Sequence, residues 1–402
     1  MTRRAIVVGG SISGLFAACL LRQKGWQVDV YERSDVGLKG RGAGIVSHQE
    51  LLDILTQSGA GIADLGIHVD DRVLFDSLGD IVGRHHFPQI VTSWDRLQNL
   101  GRDVQPEGTY HLNCNFIGFD QTANGVTVHF DGGRSVTGDI LVGADGFRSA
   151  VRAIVAPEIQ PIYSGYVIWR AVIDEADLDP ETHEAVFEKF AFFLAPGHEV
   201  VGYPIAGTNN DLRPGKRRYN FVWYRTISVP RLDDMLTDAS GHTHAISIPP
   251  PLVREEIVHE MREMAETFMC APLLKVLRAI KSAFFTPIYD LASPSMTYGR
   301  VVLIGDAAFV ARPHVGMGVT KGAADARALA DALSGDDIED GLRSFNAKRK
   351  PIGDRVFARG RELGAFLNDD FEGALDEKHQ NDLLRNTAAD HFLHQQSEER
   401  RA

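Results

Sequence analysis

The run Ala5-Ile6-Val7-Val8, followed at once by Gly9-Gly10-Ser11-Ile12-Ser13-Gly14, constrains this chain more than any other feature. A short apolar, largely β-branched run suits a strand buried on both faces. The glycines let the backbone turn sharply into a helix carrying Ala17, Ala18, Leu20 and Leu21. A second strand, Val28-Asp29-Val30-Tyr31, then ends at Glu32. Such a strand, turn, helix and strand can bring free N–H groups at the helix start to a pyrophosphate, while the acid accepts a ribose hydroxyl. The pattern therefore predicts a dinucleotide site at Gly9, Ser11, Ser13, Gly14 and Glu32. Ser11 takes the place of a middle glycine, and its side chain is small enough for close approach.

Glu32 favours a ribose with a free 2′-hydroxyl, which fits FAD and NAD equally. A second motif late in the chain separates them. Arg300-Val301-Val302-Leu303-Ile304 reads as a strand, and Asp306 follows it, placed to hold a ribityl hydroxyl. Pro313 and Gly316-Met317-Gly318 come next, and a helix begins near Gly318 with Val319, Ala323, Ala326, Ala330 and Leu333 on its core face. Its glycine-rich start leaves N–H donors free, and the positive end of a helix stabilises an anion such as a reduced flavin by roughly 0.3–2 kcal/mol. Between the two lies Asp145-Gly146-Phe147-Arg148-Ser149, with Arg152, at the end of the strand Ile140-Leu141-Val142-Gly143-Ala144. No second glycine fingerprint follows a strand elsewhere, so a nicotinamide reductant would bind without a Rossmann domain of its own.

In this order the three motifs resemble single-component FAD-dependent aromatic hydroxylases of the p-hydroxybenzoate hydroxylase type, from about Arg4 to Leu333. The resemblance implies an α/β protein: a discontinuous Rossmann-like FAD-binding domain (residues 1–72, 93–162 and 283–335), a β-sheet substrate domain (73–92 and 163–282) and C-terminal helices (336–402). It implies FAD as cofactor, NADH or NADPH as co-substrate, and oxygen insertion into an electron-rich ring through a flavin C4a-hydroperoxide. It adds Arg33, Arg41, Asp145, Gly316, Gly318 and Val319 to the cofactor site. His48 follows Gly42-Ala43-Gly44-Ile45, a segment beside the flavin in the family. His314 follows the active-site proline, here Pro313, and Tyr203 precedes Pro204 on a strand that lines the pocket. These three are the candidates for assisting ionisation of the substrate hydroxyl. Trp169, Arg170 and Pro313 are the candidate substrate contacts, although Trp169 and Arg170 lie on opposite faces of one strand, so at most one of those two can face the ring.

Three positions depart from the family pattern: Phe309 for a histidine, Thr320 for an asparagine and Trp94 for a flavin-binding arginine. With Thr92-Ser93-Trp94-Asp95, Gly165-Tyr166, Trp169-Arg170 and Arg312-Pro313-His314, they point to the branch acting on dihydroxypyridines. A phenolic or hydroxypyridine carboxylate such as 6-hydroxynicotinate is the alternative substrate. A non-enzymatic flavin-binding redox sensor is the alternative function, and an NAD-dependent dehydrogenase a further rival. The middle of the chain reads as short strands at Tyr166 to Val172, Phe190 to Leu194, Glu199 to Pro204 and Tyr219 to Tyr224. A net charge of −12 argues against nucleic acid or anionic membranes as partners. The three cysteines, without metal or redox-pair spacing, fit a reducing cytoplasmic compartment, and no signal peptide or membrane span is expected. A small aromatic substrate and dioxygen are the expected partners, with a homodimer left open and no metal expected.

Overall fold

The computed structural model describes residues 2–36, 38, 44–368, 371 and 375–393. Its first layer is a six-stranded sheet in the order Thr297–Tyr298, Val301–Leu303, Ile140–Gly143, Arg4–Val8, Gln27–Tyr31, Tyr110–His111. Every pairing is parallel except that of the edge strand Thr297–Tyr298. The strand Arg4–Val8 sits between two partners, which is why Ala5, Ile6 and Val7 are wholly buried. The helices Ile12–Gln23 and Gly318–Ala332 pack together beside it.

The glycine turn is built to tolerances that exclude side chains. Gly9 has φ +110°, and a Cβ there would lie 2.3 Å from the Ala144 carbonyl oxygen; one on Gly14 would lie 2.0 Å from that of Gly9. The sequence motifs are thereby interlocked. Ser13 Oγ fills the space left by Gly305 and Gly322, and the Arg152 guanidinium donates to the carbonyls of Ala307 (2.9 Å) and Phe147 (2.6 Å).

A nine-stranded mixed sheet forms the second layer, in the order Phe309–Val310, Phe284–Ala292, Ile162–Asp174, Arg218–Thr226, His198–Ile205, Phe190–Ala195, Ile67–Phe75, Ile81–Ser93, Gly44–Ser47. It takes in Gly44–Ser47 and starts its hairpin at Ile67, so the sheet reaches further toward the N-terminus than the boundary at 73, because Ile45 pairs with Thr92 and Ile67 with Val91. One face backs onto the helices Glu255–Phe268 and Ala271–Arg278 through an aromatic core that includes Trp169, Trp223 and Phe285. The other face looks toward the first layer and the helix Ile338–Leu363.

Burial, and secondarily the nearby Arg225 guanidinium, hold the His198 imidazole down at about 4, where it accepts the Trp223 indole N–H. Burial also lowers His48. Both groups bind a proton more readily in the unfolded chain, so the stability they contribute is present above the ordinary histidine value of 6.5 and is lost as the pH falls through each lowered folded value, about 4 for His198. In urea titrations His198→Gln should lose less stability than the parent protein between about pH 7 and pH 5. An equal loss would remove His198 as the cause.

Candidate active site

One continuous cleft runs between the two layers. Its first part is lined by Gly9, Ser11, Glu32, Arg33, Trp94, Asp145 and Gly146. Its second, of about 350 Å³, shares Ser11, Trp94, Ala144 and Gly146 with the first and continues past Ser13, Asp306, Pro313, Gly316, Gly318 and Val319 to the sheet face carrying Arg170, Tyr203 and Tyr224.

Local chemistry explains how the cofactor-side groups are set. The Glu32 carboxylate, buried at the end of its strand, accepts from the backbone N–H of Gly10 (2.8 Å) and of Ser34 (2.9 Å). It thus fixes the glycine turn while bordering the cleft. Asp306 lies deep in the molecule, yet it is exposed because it faces the cleft. Burial raises its carboxyl, an effect opposed by Lys321, reinforced by Asp325 and opposed by Arg152. No described residue hydrogen-bonds that carboxylate. The helix Gly318–Ala332 opens without a side-chain cap, so its first N–H groups point from Gly318 and Val319 into the cleft. Gly316, at φ +63°, turns the chain into it. A close-approach turn, a strand-end acid, a free deep carboxylate and an uncapped helix start along one cleft are what FAD requires of a chain. Arg41 lies outside the described residues.

Asp145 borders the cleft, but its carboxylate is engaged within the chain. It accepts from Ser149 Oγ (2.5 Å) and from the N–H groups of Ala150 (2.7 Å) and Val151 (3.2 Å), holding the start of the helix Ala150–Val155. Burial raises it despite these bonds.

At the sheet end, the alternation of one strand separates two candidates. Arg170 lines the cavity, whereas Trp169 points the other way and packs against Phe285 with ring centroids 5.3 Å apart. Trp169 is therefore a core residue and does not line the cavity. Arg170 pairs with no carboxylate among the described residues, and its charge is felt by the Tyr203 and Tyr224 hydroxyls. Tyr203 also lines the cavity, donates to the Gly44 carbonyl (3.0 Å), and is pushed up to about 12 by burial.

Neither histidine is on the wall itself. His48 is buried behind it, with Nδ1 3.0 Å from Thr320 Oγ1 and its ring close to Gly316. Burial lowers its pKa, so the imidazole is neutral at pH 7. His314, wholly buried under Pro313, stacks on Tyr224 at 4.3 Å; its Nε2 meets the Tyr166 hydroxyl at 3.1 Å and its Nδ1 lies 2.9 Å from Glu199. Glu199 is also wholly buried, and that contact is too poorly aligned to count as a hydrogen bond. Sequence reasoning missed Glu199, Tyr166 and Tyr224. A carboxylate inside an apolar strand was the one available signal.

Residues 163–290 match the family described as FAD binding domain-like, and residues 7–57 the NAD(P)-binding Rossmann-like domain. The chain is 31% identical over 369 residues to the 2,6-dihydroxypyridine 3-monooxygenase of Paenarthrobacter nicotinovorans, covering 91% of this chain and 92% of that one. It is similar to the solved 2,6-dihydroxypyridine-3-hydroxylase from Arthrobacter nicotinovorans, with a TM-score of 0.87, 30% identity and coverage of 94% and 95%. The fold also matches Klebsiella pneumoniae HpxO complexed with FAD and uric acid, at a TM-score of 0.76, 23% identity and coverage of 96% and 93%. Among the described residues no helix is long and apolar enough to cross a membrane. With the cleft, its glycine turn and the carboxylates of Glu32 and Asp306 in place, these likenesses make the chain a member of the FAD-dependent aromatic monooxygenases, which draw on NAD(P)H to hydroxylate hydroxylated aromatic rings.

Proposed function

We propose that the ring taken up is a small anionic heteroaromatic, a dihydroxypyridine, and that Arg170 recognises its charge. The observation that carries this is a cation on the cavity wall with no carboxylate partner among the described residues, set close to Tyr203 and Tyr224. A half-buried guanidinium on the wall of a mostly apolar cavity is best matched by an anionic oxygen. Phe190, Val201 and Val222 supply the flat apolar walls a ring needs. The 2,6-dihydroxypyridine hydroxylases it resembles support the same substrate class.

FAD would be held by the turn of Gly9, Ser11, Ser13 and Gly14, by Glu32 and Arg33, by Asp306 and by the helix start at Gly316, Gly318 and Val319, with Asp145 shaping the neighbouring backbone. Once bound, it supplies reduction by NADH or NADPH and the activation of dioxygen. The chain's own tasks are to exclude water, hold the ring and manage its proton. Tyr203 stays protonated and fixes the Gly44–Ser47 strand through the Gly44 carbonyl. Tyr224 offers the cavity a hydroxyl that no described residue occupies, and burial keeps it protonated. Pro313 closes the wall above His314. Of the two histidines behind the wall, His314 is the better candidate to take up the ring's proton, through the Tyr166 hydroxyl hydrogen-bonded to its Nε2 and with Glu199 2.9 Å from its Nδ1; neutral His48 stands behind the Gly316 turn.

The test is NADH and NADPH oxidation with a panel of rings, with peroxide counted alongside. Dihydroxypyridines should accelerate flavin reduction and be hydroxylated with little peroxide. Arg170 would serve a carboxylate equally well, so hydroxypyridine and phenolic carboxylates form the second arm. Stopped-flow reduction that is equally fast with and without every dihydroxypyridine, combined with turnover of a carboxylate, would move the assignment to the latter.

A further inference from the structure

Arg72 is wholly buried and has no acidic partner among the described residues. Its guanidinium is spent on the backbone of the C-terminal segment, donating to the carbonyls of Leu384 (3.0 Å), Arg385 (3.4 Å), Thr387 (2.6 Å) and Ala388 (3.3 Å). Two further donors go to Gln89 Oε1, and Gln89 in turn donates to the Ala388 carbonyl. Phe87 and Phe190 stack near the cation at 4.3 and 5.5 Å. Leu384 and Arg385 belong to the last turn of the helix Glu377–Asn386 and Thr387 and Ala388 follow it, so Arg72 donates to carbonyls that a helix end leaves free.

What is anchored there belongs to the cavity. Thr387 and Ala388 line it together with Pro313, Gly316 and Tyr224. Ala388 sits at φ +51°, an uncommon conformation for a side-chain-bearing residue, and donates its N–H to the His314 carbonyl (2.7 Å). Its Cβ occupies space that Gly316 leaves free, since a Cβ on Gly316 would come within 2.6 Å. Thr387 is 5% exposed, and its hydroxyl has no hydrogen-bond partner among the described residues. A buried hydroxyl left without a partner is costly unless a ligand satisfies it.

We propose that the C-terminal segment is a wall of the substrate site, in which the Thr387 hydroxyl hydrogen-bonds a polar substituent of the ring and Arg72 is the positioning residue that holds it there. This rests on the reading of the cavity as the place where a hydroxylated ring binds. It adds a specificity determinant from a part of the chain that lies beyond both dinucleotide motifs.

The test uses the holoenzyme and whichever ring the parent protein consumes, so a mistaken dihydroxypyridine assignment leaves it valid. Thr387→Val keeps the shape and removes the hydroxyl. It should raise both KM and the Kd read from flavin absorbance by roughly 5–10-fold, with FAD content unchanged, and Thr387→Ser should restore them. Val binding the ring as the parent protein does, with the same preference among substituents, would overturn the role of Thr387. For Arg72, hydrogen exchange over residues 383–388 in the ligand-free protein should rise in Arg72→Met, alongside a higher KM. Arg72→Lys, which keeps charge but cannot reach all four carbonyls, should fall between. Unchanged exchange and KM in Arg72→Lys would overturn the anchor even if Arg72→Met does not fold.

Discussion

Asp306→Ala should purify as folded protein that has largely lost its flavin. The carboxylate has no hydrogen-bond partner among the described residues, so removing it should leave the fold intact, while one charge-assisted bond to the cofactor disappears. Such a bond is worth about 1.5–3 kcal/mol, or roughly a tenfold to hundredfold loss of FAD affinity. Glu32→Ala should also lower occupancy, but for two reasons at once, because Glu32 ties down the N–H groups of Gly10 and Ser34 as well as facing the cleft. Thermal melts of the apo-proteins separate them: Glu32→Ala should be destabilised, Asp306→Ala should not. Flavin content and affinity unchanged in both variants would defeat the placement of the cofactor.

Arg170→Met should raise KM for the anionic substrate by roughly tenfold or more, since a hydrogen bond between charged groups is worth about 1.5–3 kcal/mol and Arg170 is half-buried on the cavity wall. A neutral ring of the same size should lose much less, and Arg170→Lys should recover part of the loss without the planar fork of the guanidinium. The contrast between charged and neutral rings is the informative readout. A general packing defect would weaken both alike, and an equal loss for both would remove Arg170 as a charge selector.

Much of the architecture was legible because it is written in contiguous residues. The apolar run of residues 5–8, the small residues after it and the acid at Glu32 carry their conformational preferences locally, and the structure realises them as Arg4–Val8, Ile12–Gln23 and Gln27–Tyr31. The substrate-sheet strands were placed by the same logic, and each extends beyond its expected apolar span, from the single added residue of Phe190–Ala195 to the longer Ile162–Asp174. The helix Glu255–Phe268 follows a short 3-10 turn at Pro250–Leu252, where the proline run stiffens the chain.

Strand alternation told that Trp169 and Arg170 face opposite ways, but not which of them meets the cavity. That depends on which face of the sheet the helices Glu255–Phe268 and Ala271–Arg278 cover, and they cover the Trp169 side. The same holds for the charged groups in the interior. Glu199 meets His314, and Arg72 meets Thr387, across more than a hundred residues of chain. The sequence by itself determined the dinucleotide-binding turn, the order of strands and helices along the chain and the chemical family, because backbone torsion and side-chain periodicity act over a few neighbouring residues. Only the tertiary structure decided which buried carboxylate, imidazole and guanidinium meet, because such contacts are set by sheet register and by the packing of one layer on another.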